Sequence, residues 1–206
     1  IKVMCRTEEA GTTANLTKDL AAADTTDWKV EPVKKWTGKG EGKEKSAGVA
    51  NAFKATDGGV TYVEWYYTKD NKRGVSQIDN GAGPVELTAP AVSKAVAVAK
   101  QVGTGNNIKL KLAYATKETG AYPILLVTYE VVCSKGKDPA KAKLLQSFLK
   151  SFAASDAQAK LEGLCSAPLP PPIQTQVHTP RAAPPQPQPR PPGADLSATA
   201  TPPAPP

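Results

Sequence analysis

Proline decides first how much of this chain can fold. Of its 20 prolines, 15 fall between Pro168 and Pro206. Proline fixes φ and has no backbone N–H, so such a stretch builds neither a helix interior nor a sheet ladder. It also carries almost no large apolar residues, and so cannot offset the entropy of ordering. The chain therefore divides into a folded region, residues 1–169, and a Pro-rich disordered tail, residues 170–206. Within that tail Pro180–Pro206 reads as partly extended polyproline. What remains ahead of it holds one domain of about 100–150 residues with some excess.

Ahead of the tail, strand and helix patterns alternate. Ile1–Cys5 reads as a strand, Arg6–Thr13 as a polar turn, and Ala14–Ala23 as a helix with Leu16 and Leu20 on one face. Trp28–Trp36 is irregular, and Gly38–Gly42 reads as a flexible basic loop. Ser46–Ala55 has helical spacing and stops at Asp57-Gly58-Gly59. Val60–Tyr67 and Val75–Ile78 are rich in β-branched and aromatic residues and read as strands. Ala91–Val102 is a helix flanked by Pro90 and Gly103. Ile108–Tyr114 alternates as a half-buried strand, and the apolar run Tyr122–Cys133 reads as a buried central strand. Asp138-Pro139 opens a helix with the stripe Leu144, Leu145, Phe148, Leu149 and Phe152, and Ser155 with Gln158 forms a capping box for another. This order predicts an α/β fold.

Several chemistries are excluded early. The only histidine, His178, stands in the Pro-rich tail, so neither a Ser-His-Asp nor a Cys-His arrangement has a base, and no His-containing metal cluster can form. No covalent catalysis and no cofactor are expected. Gly38–Lys43 fails as a phosphate loop, because Thr37 stands where the first glycine belongs and Glu44 follows the lysine. The formal charge is +7, of which Arg181, Arg190 and Asp195 in the tail supply a net +1. The remaining lysines are scattered, which favours anions generally and leaves no nucleic-acid footprint. Cys5, Cys133 and Cys165 are far apart and odd in number, compatible with one disulfide or with three thiols. No run of about 20 apolar residues exists to span a membrane. The opening Ile-Lys-Val already reads as a strand, as it would after processing or within a longer product.

The sharpest candidate site is Arg6 to Thr13. A helix N-terminus offers unpaired amides and partial positive charge, Gly11 lets the backbone approach a ligand, and Thr12 and Thr13 add hydroxyls. Arg6 supplies a planar fork suited to a tetrahedral oxyanion, and Glu8 can brace it. On spacing alone the same residues read rather as a polar surface turn with a salt bridge and a capped helix.

Arg6-Thr7-Glu8-Glu9-Ala10-Gly11-Thr12-Thr13 after a strand resembles the anion loop of phosphate-binding proteins of phosphate ABC transporters (PstS-like). Further stretches are similar in the family's order: Gly38–Gly42 through Ser46–Ala50, Gly59–Glu64, Gln77–Gly81, Gly120–Ile124, Thr128–Ser134 and Ala167–Pro170. The likeness covers about 170 residues and is nearest to the high-GC Gram-positive branch. It implies a type II periplasmic-binding-protein fold, with Ile1 to about Val127 as the second lobe. Leu144–Leu164 would be C-terminal helices returning to a first lobe whose N-terminal part lies outside this sequence. It implies capture of inorganic phosphate for a membrane permease, in an extracytoplasmic lipid-anchored protein, monomeric at full length. A cell-surface or antigenic protein that kept the fold and lost the ligand is the alternative.

Carried over by position, Arg6, Ala10, Gly11 and Thr12 are ligand positions, with Glu8 and Thr13 in support. Glu8 replaces the family's usual aspartate. Ala10 stands where a serine usually donates to phosphate, a loss of roughly 1.5–3 kcal/mol for a bond to a charged group. Thr13 is expected to cap the helix.

Overall fold

The computed structural model describes residues 1–70, 74–105, 107–133 and 138–178. The disordered tail expected over 180–206 lies outside the described residues. Strand β1 (Lys2–Arg6) leads into helix α1 (Gly11–Ala23), then strand β2 (Glu41–Lys43), helix α2 (Lys45–Lys54) and strand β3 (Gly59–Val60). The three strands are parallel, in the order β2-β1-β3. Met4 sits opposite Glu41, and Val3 opposite Val60. Two βα units in succession thus place β1 centrally, which is why Met4 and Cys5 are buried with Val49 and Ala50 of α2. Burial pushes the Cys5 thiol above its ordinary value. Parallel strands joined through helices are the arrangement that buries a sheet on both faces.

The second half is looser. Helix α3 (Trp65–Asp70) precedes an antiparallel pair, β4 (Ile78–Asp79) and β5 (Pro84–Val85), whose turn is held by Asp79 Oδ1 accepting from the amides of Gly81 and Gly83 at 2.7 and 3.0 Å. Helix α4 (Ala89–Ala97) starts at Thr88, whose hydroxyl accepts from Ala91 N–H at 3.2 Å, with proline in the first turn where its missing N–H costs nothing. Strands β6 (Lys100–Gln101) and β7 (Leu110–Lys111) pair antiparallel. Helix α5 (Pro139–Ala153) is capped by Asp138, which accepts from Ala140 and Lys141. Helices α6 (Ser155–Ala159) and α7 (Pro171–His178) close the described chain. A second core gathers Ala95 and Val96 of α4 with Ala121, Leu125 and Ile173 of α7.

Several strands expected from the sequence are shorter or absent. Tyr122–Cys133 forms no strand: Ala121, Tyr122 and Leu125 are buried, but Leu126, Tyr129, Val131 and Val132 are exposed. A central strand needs paired neighbours on both sides, and none of the described strands pairs with this run. Ile108–Tyr114 keeps strand geometry only at Leu110–Lys111, and Val75–Ile78 only at its end. Val60–Tyr67 leaves the sheet after Val60, because β3 pairs with β1 over two residues and Trp65 starts a helix. The basic loop Gly38–Gly42 ends inside strand β2.

Two boundaries also move. Ser155 does not cap α6; Ala154 holds that position, and Gln158 instead donates to Phe152 O at 3.0 Å and accepts from Leu169 N–H at 2.9 Å. The tail does not begin at residue 170, since Pro171–His178 is helical with Ile173 in the core. Proline is tolerated in a first helical turn, so Pro171 and Pro172 start a helix there instead of preventing one.

The two cores do not merge. Between the region around the parallel sheet and α5 lies an open hollow of about 2130 Å³, walled by Leu16, Phe53, Val63, Leu126, Leu149 and others. Close-packed interiors tolerate few voids larger than a water. The stripe on α5 is left without close packing: Leu145, Leu149 and Phe152 border the hollow, and Leu144 and Phe148 are exposed by 72 and 58 %. Among the described residues no helix is long and apolar enough to cross a membrane.

Candidate anion site at the end of β1

Arg6 ends the central strand, so the sheet fixes its backbone before the side chain makes any contact. Its guanidinium is then held from two directions. Nε and Nη2 donate to Glu8 Oε1 at 3.1 and 2.7 Å, and Nη1 donates to Ser46 Oγ at 2.9 Å. The Arg6 side chain is 14 % exposed. Glu8 Oε1 also accepts from Lys45 N–H at 2.8 Å. These donors, the Arg6 hydrogen bond above all and then the backbone amides of Glu8 and Lys45, hold the Glu8 carboxyl down at about 2. Lys45 itself adopts a φ of +57°, a left-handed conformation that costs a non-glycine residue about 1–2 kcal/mol. That conformation opens α2 beside Glu8, where the Lys45 amide meets the carboxylate. Gly42 makes the close strand approach possible, since a Cβ there would lie 2.5 Å from Thr7 Cγ2.

Loop residues Thr7–Ala10 carry the chain from β1 to the first turn of α1. Ala10 takes the N-cap position with φ −143° and ψ 145°, without a side chain able to cap, and its own N–H goes to Lys34 O at 2.9 Å. The amides of Gly11, Thr12 and Thr13 donate to no acceptor among the described residues. Thr12 Oγ1 is buried and likewise has no partner among them. Three free amides, a positive helix end and an orphaned hydroxyl are the kind of donors that an anion can use, and the braced Arg6 guanidinium lies one short loop away in the chain.

Tyr62 ties strand to helix. Its hydroxyl accepts from Arg6 N–H at 3.2 Å and lies 2.7 Å from Thr13 Oγ1. Trp36 packs on Tyr62 with ring centroids 5.8 Å apart, and Trp28 on Trp36 at the same spacing. One wall is apolar: Leu126 Cδ1 would stand 3.1 Å from a Cβ at Gly11. Two turns along α1, Asp19 is 3 % exposed with Oδ1 unpartnered among the described residues, and burial pushes its carboxyl up to about 6.

The structure pairs Arg6 with Glu8 at the end of β1, and sets Ala10, Gly11 and Thr12 at the start of α1 one short loop further on. Thr13 differs: it is fully buried and bonds Tyr62 instead of capping α1. Ser46 and Tyr62 were given no role by sequence reasoning, because they lie 40 and 56 residues from Arg6 and only the sheet brings them there. Among the described residues no cluster of His, Cys, Asp and Glu could hold a metal.

Residues 1–157 match the family described as the PBP superfamily domain. The phosphate-binding protein PstS2 of Mycobacterium bovis (strain BCG / Pasteur 1173P2) is 33% identical over 182 residues, 86% of this chain and 49% of that protein. The phosphate-binding protein PstS 3 of Mycobacterium leprae (strain TN) is 34% identical over 156 residues, 73% of this chain and 42% of its own length. The chain thus spans about half the length of these curated relatives. Among solved structures, a high-affinity periplasmic phosphate-binding protein bound with phosphate superposes with a TM-score of 0.59 at 18% identity, over 86% of this chain and 56% of that one.

Proposed function

Because the chain belongs to the PBP superfamily, we propose that it binds inorganic phosphate as part of the extracytoplasmic solute-binding component of an ABC phosphate importer. The observation that carries this is the Arg6–Glu8 brace set against three free amides and the orphaned Thr12 hydroxyl. A phosphate needs donors on several sides and no proton transfer, and a cradle of these groups supplies donors and one fixed cation. Arg6, Gly11 and Thr12 contact the ion, Glu8 aims the arginine, and the backbone at Ala10 shapes the turn without a hydroxyl of its own. Binding proteins are also what the named relatives are. The permease and a lipid anchor belong to the same reading and rest on the resemblance alone.

In this chain the cradle is open on one side. Exposed ionic contacts contribute only about 0–1 kcal/mol each, so the expected affinity is weak, near 1 mM. Titration of the full chain with phosphate, followed by NMR at physiological salt, tests the reading. Saturable shifts at Arg6 and Thr12 that vanish in Arg6→Ala support it. No shift at tens of millimolar phosphate overturns it, and leaves the alternative that the fold persists without its ligand. Ala10 and the methyl of Leu126 at Gly11 are the features favouring that alternative.

A further inference from the structure

Arg6 is useful to an anion only while its unused N–H groups point the right way. Three of its five donors are engaged, two on Glu8 and one on Ser46, leaving one N–H on each Nη nitrogen. Glu8 grips only the Nε–Nη2 edge. Alone, it would leave the Nη1 amino group free to turn about its C–N bond and the whole fork free to tilt about that edge. The Ser46 hydroxyl closes the second side. It is buried, and it occupies the second position of α2, a helix whose first residue takes a left-handed φ with its amide on the same Glu8 oxygen. Consecutive residues of one turn thus hold both members of the Arg6–Glu8 pair. Since Ser46 Oγ accepts from Arg6, its own hydrogen is left over from that bond.

We propose that Ser46 is a positioning residue of the proposed anion site: together with Glu8 it fixes the plane of the Arg6 guanidinium, and with it the direction of the remaining Nη1 and Nη2 hydrogens. The proposal rests on the anion-binding reading above, but its first consequence is independent of any ligand. In the folded chain the two Nη groups of Arg6 are restrained separately, one by Ser46 and one by Glu8. Losing the Ser46 hydroxyl frees one and spares the other. An orienting role also predicts that a hydroxyl alone suffices, whatever carries it.

Nitrogen-resolved NMR of the Arg6 side chain in the full chain, with and without inorganic phosphate, tests this. The wild type is expected to show distinct Nη1 and Nη2 signals. Ser46→Ala should merge the Nη1 hydrogens by rotation, weaken phosphate about tenfold, and leave the Nε signal on Glu8 in place. Ser46→Thr should restore both the separate signals and the affinity. Should the alanine variant fail to fold, Ser46→Cys offers a much weaker acceptor of similar size and is read the same way. Unchanged Nη1 restraint in Ser46→Ala, or an affinity loss that Thr does not restore, overturns the proposal. Restrained Nη groups in a wild type that phosphate never shifts would instead overturn the phosphate reading.

Discussion

Asp19 gives the sharpest stability prediction. Its carboxyl is 3 % exposed, Oδ1 meets no partner among the described residues, and burial moves its folded value from 3.8 to about 6. Desolvation disfavours the charged form, and no donor offsets it. Below pH 3.8 the group is neutral in both states and costs nothing. Between 3.8 and about 6 the folded chain keeps its proton while the unfolded chain releases it, so stability falls as pH rises through that window. Above it the penalty is constant at about 3 kcal/mol, since each pH unit between the two values costs about 1.4 kcal/mol.

Replacing Asp19 with Asn removes the charge but keeps size and polarity. Urea denaturation of both chains at a series of pH values is the assay. Near pH 3 the difference between them should reflect only the cost of burying an amide. By pH 7 the variant should have gained about 2–3 kcal/mol relative to that baseline. Glu8 does not confuse the comparison. Its value is lowered, so its stabilisation is present above 4.5 and is lost as pH falls toward 2, in wild type and variant alike. A difference between the two chains that stays constant across pH 3 to 7 would refute the argument that Asp19 is buried uncompensated.

Ala10→Ser adds a hydroxyl at a residue already in N-cap geometry, and should raise stability by about 1 kcal/mol and tighten phosphate roughly tenfold. Denaturation and titration read the two effects, and a stability gain without an affinity gain would mean that the hydroxyl serves the helix alone. Ile173→Ala should cost about 2 kcal/mol or more by thermal denaturation, because α7 closes the cluster with Ala95, Val96 and Leu125.

The parts of the fold legible in the sequence were those carried by local signals. Asp138-Pro139 fixed the start of α5 and Pro90 that of α4, because caps and first-turn prolines act within a few residues. The Arg6–Glu8 pair was legible for the same reason, lying two residues apart. Strand extent was not. Val60–Tyr67 and Tyr122–Cys133 have strand composition, but pairing depends on a partner elsewhere in the chain, and β3 finds one for only two residues. The Ser46 contact and the Tyr62 bridge are invisible to spacing because parallel pairing of β1 with β2 and β3 creates them. The helix at Pro171–His178 was hidden by its own prolines, whose meaning changes between a helix interior and its first turn.

The cradle and the hollow make opposite demands, and their separation explains what this chain can do alone. Everything that orients Arg6 comes from β1, Glu8 in the loop after it, the first turn of α2 and Tyr62, around the parallel sheet where Met4 and Val49 are fully buried. Orientation is therefore secure without help from α5 or α7. Affinity is a different matter, because it requires water to be excluded from the ion once it is held. The side that would exclude water is bordered by Leu126 and opens toward a hollow whose far wall is α5, with Leu145 and Phe152 on it. Apolar walls around a charged cradle strengthen its hydrogen bonds only when they close over it. On the phosphate reading proposed above, the Arg6 brace is in place here and the exclusion of water is not.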